Sequence, residues 1–428
     1  MPRSEELLER ALRVFPGGVN SPVRAAVKPY PFFVEKAEGP YIYTVDGEKL
    51  IDLVQAYGPL ILGHRHPAVE KAILEQVSRG WLYAAPYELE VRLAEKILEY
   101  VNPHGMIRFV NSGTEATALA IRLARGVTKR KLVLKFDGCY HGAHDSVLVA
   151  AGSAAEHYGV PMSEGVPEEV AKLTLVASFN DFDGVERVFR EHGDRIAAVI
   201  VEPVLGNIGV ISPKEGFLKF LRELTEKHGA LLIFDEVITG FRLSLGGAQE
   251  YFGVKADIVT LGKIIGGGMP IGAVVASREI MENISPAGRV FNAGTFNAHP
   301  LAMAAGLATI EVLEEGEVYR VAGHAARSIA RALEEASQSS RIEVYVNQVE
   351  SMLTPFFTSR EVFDAKTARA SNRSLYERFH VEMRKRGVFV TPSQFEAIFT
   401  GLPIRGEVLD HVIEAIHDSF KSLGGSAR

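Results

Sequence analysis

The sequence predicts an α/β protein, a large, mainly parallel sheet with covering helices followed by a smaller α+β domain. Two observations carry this. From about residue 65, short apolar runs at Lys131–Phe136, Ala197–Val201, Ala230–Phe234, Ile258–Leu261 and Ala273–Ala276 alternate with helical stretches, the pattern of parallel strands under helices. After a long helix read from Ala302 through Glu315, helices mix with short strands at Ile342–Val346, Leu353–Phe357 and Val388–Val390. At 428 residues the chain exceeds the size at which a single core usually stops growing, so two or three structural units are expected.

Residues 1–64 form the first unit. The opening Met-Pro-Arg-Ser-Glu-Glu-Leu-Leu-Glu-Arg reads as a charged amphipathic helix rather than a signal peptide. Phe15 to Arg24 carries glycines and prolines that oppose regular structure, which makes an exposed or ligand-facing loop. Phe32–Ala37, Tyr41–Val45 and Leu50–Leu53 then read as an antiparallel meander around an Asp46-Gly47 turn. Residues 65–305 make the large domain, and residues 306–428 the small one. Within the large domain, residues 150–167 are small, Gly- and Pro-punctuated and without periodicity, which reads either as a mobile lid or as a plain surface excursion.

Composition narrows the ligand. A net charge of -6 with 47% hydrophobic and 23% charged residues gives no electrostatic case for nucleic acid or an anionic membrane, and favours a small soluble ligand. Cys139 is the only cysteine, so an intrachain disulfide and a cysteine-based zinc site are both excluded. No apolar run approaches the roughly 18 residues of a membrane span, and the cytoplasm is the expected compartment.

The chemistry begins with Asp235, which closes the run Leu-Leu-Ile-Phe-Asp, and Lys263, which follows Ile-Val-Thr-Leu-Gly. Both emerge at strand ends, where open α/β sheets bind ligands. A lysine there can form a Schiff base with a carbonyl, and a carboxylate can keep a pyridine nitrogen protonated; together they suggest pyridoxal phosphate. Either residue alone is an ordinary strand terminus. Asn111 to Ala116 precedes a helix-compatible run, with Ser112 or Thr114 as a cap and Gly113 allowing close approach, a turn suited to an anion or simply to capping. Gly294 to Pro300 offers Thr295 in a similar setting. Tyr140 could stack on a flat ring while Val237 covers its other face, or be a core tyrosine. His141 and His144 have a His-x-x-His spacing without a third ligand, so no metal is expected. Glu202 and Asn207 follow another parallel strand and point to the same rim.

These segments occur in an order that resembles the class III aminotransferase group of fold-type I pyridoxal phosphate enzymes: Ser-Gly-Thr-Glu-Ala, Glu202-Pro203, Asp235-Glu236-Val237 with Thr239-Gly240-Phe241-Arg242, and Gly262-Lys263. The Phe15–Arg24 loop, Tyr140-His141-Gly142 and Gln394-Phe395-Glu396-Ala397 are similar to the branch of that group whose members are aminomutases of glutamate 1-semialdehyde. The resemblance covers nearly the whole chain. It implies a seven-stranded, mainly parallel sheet and pyridoxal 5'-phosphate with its pyridoxamine form as cofactor. Lys263 would be the cofactor-linked, proton-transferring lysine and Asp235 the partner of the pyridine nitrogen. Tyr140 and Val237 would contact the ring, Ser112, Gly113 and Thr114 the phosphate, and His141, Glu202 and Asn207 the rest of the cofactor. Thr295 would reach the phosphate of the other subunit in a homodimer. Ser21 and Arg24 would take the substrate carboxylate, Tyr57 and Glu396 would line the substrate space, and Ser153 would lie in the lid. Tyr57 stands where a tryptophan is usual in the family. A contact with the reductase that supplies the substrate is also implied. Two rival readings share the fold, an ω-aminotransferase using 2-oxoglutarate and a non-enzymatic protein.

Overall fold

The computed structural model describes residues 2–149 and 163–425. The chain opens with helix Arg3–Ala11 and two 3₁₀ turns, Pro16–Gly18 and Pro22–Ala26. The loop read as irregular therefore does contain local order, because a proline at the start of each turn presets the required φ. Strands β1 (Val34–Glu38), β2 (Tyr41–Thr44) and β3 (Lys49–Asp52) form the meander.

Seven strands build the main sheet: β4 (Gly105–Val110), β5 (Leu132–Phe136), β6 (Thr174–Ala177), β7 (Ile196–Val201), β8 (Leu231–Asp235), β9 (Ile258–Gly262) and β10 (Gly272–Ser277). Their order is β4-β10-β9-β8-β7-β5-β6. β9, β8, β7, β5 and β6 run parallel, whereas β10 lies antiparallel to both β9 and β4. Every residue of β7 and β9 is buried, as strands covered on both faces require. One face packs Phe136, Phe189, Phe217 and Phe234 into a common core; the other packs Leu119, Ile121 and Leu123 of helix Gly113–Thr128 against Val133, Ile200 and Ile233. No helix among the described residues is long and apolar enough to cross a membrane.

The last third contributes β11 (Tyr345–Val349), β12 (Met352–Phe356), β13 (Val388–Phe389) and β14 (Ile398–Phe399). β11, β12 and β14 form an antiparallel sheet covered by helices Glu317–Ser340, Arg373–Lys385 and Glu407–Gly425. One expectation needs correction here. Ile342 to Val344 are not strand: Arg341 takes a left-handed φ of 60°, and the Ser337 hydroxyl donates to the Ile342 carbonyl and accepts from Val344 N–H, which turns the chain before pairing begins. Val388–Phe389 joins not this sheet but the meander, pairing in parallel with Ile51 and Asp52. Ile51 and Leu53 accordingly share a core with Leu353, Phe379 and Val388.

Candidate active site

Strands β4, β5, β7, β8 and β9 end at one edge of the main sheet, and each delivers polar residues to a cleft of about 560 Å³. Asn111 to Thr114 follow β4, Tyr140 and His141 follow β5, Glu202 follows β7, Asp235 closes β8 and Lys263 follows β9. Asn207, Val237 and, from the N-terminal unit, Arg24 and Ala56 also line the cleft. The rim of a parallel sheet thus gathers residues that lie far apart in sequence.

Asp235 is 4% exposed and fixed from three sides. Its Oδ2 lies 2.7 Å from His141 Nδ1, and its Oδ1 accepts from Thr260 Oγ1 at 3.1 Å and Val237 N–H at 3.2 Å. The carboxylate accepts, so Nδ1 carries the histidine proton; burial holds the His141 pKa below the usual imidazole value despite this neighbour. Lys263 sits three residues beyond Thr260, the register partner of Asp235, and its backbone is left-handed at φ 49°. That conformation costs a residue with a Cβ roughly 1–2 kcal/mol and is characteristic of functional sites. Burial keeps the Lys263 amine below the ordinary lysine pKa, although Glu396, Glu202 and Asp235 oppose this and Arg242 adds to it.

Glu202 accepts from Tyr140 N–H at 2.7 Å, Gly206 N–H at 3.1 Å and Asn207 Nδ2 at 2.9 Å. Three donors would favour the carboxylate, yet burial and the charge of Asp235 outweigh them and push its pKa up to about 8. At the start of helix Gly113–Thr128, Ser112 caps by accepting from Glu115 N–H at 3.2 Å, while Glu115 reaches back to Asn111 N–H at 2.7 Å. A Cβ on Gly113 would stand 3.2 Å from Val237, and one on Gly142 2.6 Å from Thr114, so both glycines keep the helix start open to the cleft.

The substrate candidates distribute unevenly. Exposed Arg24 lines both this cleft and an adjoining cavity of about 430 Å³ that also contains Tyr57 and the Asp52–His64 pair. Ser21 accepts Arg24 N–H at its carbonyl. Glu396 is 7% exposed and close enough to Lys263 and Tyr140 to influence both. Thr295 is exposed and does not line the protomer's own cleft. Ser153 and residues 150–162 of the expected lid lie outside the described residues. His144 approaches Thr117 Oγ1 at 3.3 Å, whereas His141 faces Asp235, so the two histidines serve different partners.

Sequence reasoning missed two supports. Lys135 is fully buried and donates to the carbonyls of Cys139 and Val147, each at 3.1 Å, bracing the loop that carries Tyr140 and His141; its pKa is lowered by burial to about 8. A lysine inside the apolar run Leu-Val-Leu-Lys-Phe was the available signal. Asp52 Oδ1 accepts from Val54 and Gln55 N–H, each at 2.9 Å, and its Oδ2 lies 2.8 Å from His64 Nε2. It anchors the turn Gln55-Ala56-Tyr57, whose φ angles of 48°, 54° and 66° are all left-handed.

The donor set fits a pyridoxal phosphate group. An open helix start suits the phosphate, a fixed carboxylate the pyridine nitrogen, Tyr140 and Val237 the ring, and an amine of lowered basicity the aldehyde.

Known proteins place the chain. Proteins named glutamate-1-semialdehyde 2,1-aminomutase from Hyperthermus butylicus and Aeropyrum pernix are 66% and 60% identical, over 98% and 99% of this chain and 99% of each relative. Among solved structures, an omega-transaminase from Sphaerobacter thermophilus superposes with a TM-score of 0.92 at 34% identity, over 98% of both chains. A glutamate-1-semialdehyde-aminomutase from Pseudomonas aeruginosa, solved in complex with PMP, gives 0.88 at 26% identity, over 99% of this chain and 95% of that one. The family model of the class-III aminotransferases matches residues 23–420, and the chain belongs to that family.

Proposed function

We propose that the protein is an isomerase converting glutamate 1-semialdehyde to 5-aminolevulinate by intramolecular amino exchange, a step of tetrapyrrole biosynthesis, with pyridoxal or pyridoxamine 5'-phosphate at Lys263. The carrying observation is the 66% and 60% identity to aminomutases over almost the entire chain. The cleft supports it by bringing Lys263, Asp235 and Arg24 to one wall.

When bound, the cofactor supplies a pyridine ring that takes up the electron pair left when a proton departs from carbon. Lys263, its basicity reduced by burial, takes that proton from one carbon and returns it to another. Asp235, oriented by His141 and Thr260, holds the ring nitrogen's proton. Glu202 and Asn207 form a bonded pair beside Tyr140 that orients the ring's polar edge. Arg24 with Ser21 binds the substrate carboxylate through its planar fork, and Glu396 and Tyr57 bound the substrate space. The active form is a cytoplasmic homodimer in which Thr295 reaches the partner's phosphate site, and the upstream reductase is a candidate partner.

The closeness to an omega-transaminase structure keeps one second reading open, amino transfer from a primary amine to 2-oxoglutarate. Purified protein given glutamate 1-semialdehyde and no amino donor should form 5-aminolevulinate. Turnover only with added acceptor would assign the transaminase activity instead.

A further inference from the structure

Arg242 is 1% exposed, among the largest fully buried side chains of the protein. A buried guanidinium ordinarily faces a carboxylate, but among the described residues Arg242 forms no salt bridge. Its Nη1 donates to Ser351 Oγ at 2.9 Å, its Nη2 donates to the Gly58 carbonyl, and its Nε has no partner. The plane lies over the Phe399 ring, 4.7 Å from the centroid. These contacts come from both ends of the chain, while Arg242 itself leaves the turn that carries Asp235 and Val237.

Gly58 ends the left-handed Gln55-Ala56-Tyr57 turn with a φ of 116°. A turn of this kind persists only where its surroundings enforce it. Asp52 holds the first end through the N–H groups of Val54 and Gln55, and Arg242 holds the last through the Gly58 carbonyl. A Cβ on Gly58 would meet the Phe399 ring at 3.4 Å and Lys263 Cδ at 3.5 Å, so this peptide lies directly along the lysine stem.

We propose that Arg242 is a positioning residue for the reaction, its guanidinium fork pinning Gly58 and Ser351 so that the Gln55–Gly58 turn fixes the stem of Lys263. The assignment rests on the role of Lys263 given under Proposed function. A second effect accompanies it: the uncompensated positive charge opposes protonation at Lys263, against Glu396, Glu202 and Asp235.

The test compares wild-type, Arg242→Lys and Arg242→Gln holoenzymes, normalised to bound cofactor. Turnover of glutamate 1-semialdehyde gives kcat and KM, and a pH titration of the cofactor's visible absorbance reads the charge at the Lys263 nitrogen. Arg242→Gln should lower kcat about 100-fold, with KM within about threefold, and move the titration midpoint up. Arg242→Lys should keep the midpoint yet lose about tenfold in kcat, because a point donor cannot hold both partners. Wild-type kcat in Arg242→Lys overturns the positioning role, and it decides the matter alone should Arg242→Gln fail to fold. An unmoved midpoint in Arg242→Gln overturns the charge effect. If the wild type itself makes no 5-aminolevulinate, the functional reading fails, and the Arg242 comparison is repeated with an amine and 2-oxoglutarate under the same criteria.

Discussion

His141 Nδ1 lies 2.7 Å from Asp235 Oδ2, and both side chains are buried. The histidine thus fixes the carboxylate proposed to face a pyridine nitrogen. His141→Leu removes that donor and leaves only Val237 N–H and Thr260 Oγ1 on Asp235. Loss of such an outer partner should cost about 10–100-fold in activity or cofactor affinity, measured as kcat and as cofactor released on dialysis. A variant that keeps both would show that Asp235 needs no such support.

Lys263→Ala should abolish the visible absorbance of the cofactor–lysine linkage and reduce turnover by at least about 10²–10⁴-fold, the usual contribution of a positioned proton carrier. Absorbance spectroscopy on the purified variant, with and without added primary amine, checks the first part. Persistence of the band would move the linkage to another lysine.

Gly142 has a φ of 93°, and a Cβ there would stand 2.6 Å from the Thr114 backbone. Gly142→Ala should displace the start of helix Gly113–Thr128 and weaken cofactor retention by about tenfold or more, corresponding to roughly 1.4 kcal/mol. Equilibrium dialysis against pyridoxal phosphate measures it.

His380 is fully buried, accepts Lys28 N–H at Nε2 at 3.3 Å, and so must direct its Nδ1 proton to the Val390 carbonyl at 3.1 Å. Burial lowers its pKa from 6.5 to about 4. Below pH 6.5 the unfolded chain takes up a proton that the folded chain refuses until about pH 4, so stability should fall through this window as the medium is acidified. The slope contributed is roughly 1.4 kcal/mol per pH unit. His144, also lowered to about 4 by burial, acts in the same direction. Urea titrations at several pH values should show a shallower decline in His380→Gln; an identical decline would count against the assignment.

Asp52→Ala should destabilise the protein by about 1–3 kcal/mol, because the buried N–H groups of Val54 and Gln55 lose their acceptor. It should also raise KM, since the turn walls the cleft through Ala56. Denaturation and steady-state kinetics on one preparation separate the two effects.

The site was legible in sequence where the chain makes it locally. Asp235 and Lys263 close apolar runs that are wholly or largely buried, and the helix start at Ser112 carries its own cap. β4 and β6 carry no clear strand pattern in sequence, because Arg108 interrupts the first and the second is a half-buried edge of four residues. Arg242 could be quoted from its motif, but its contacts with Gly58 and Ser351 lie 184 and 109 residues away, and no local pattern encodes them. The same holds for β13, whose partner β3 belongs to the other end of the chain.

That last pairing bears on synthesis. Leu53 N–H bonds to the Phe389 carbonyl, Ile51 N–H to that of Gly387, and Phe399 N–H to that of Leu53. A nascent chain carrying every residue up to Lys263 therefore still lacks the mates that seat the Gln55–Gly58 turn. The wall that carries Ala56 can be finished only after the segment 387–399 has left the ribosome, and chains released before it remain open there even with the rim of the main sheet already folded.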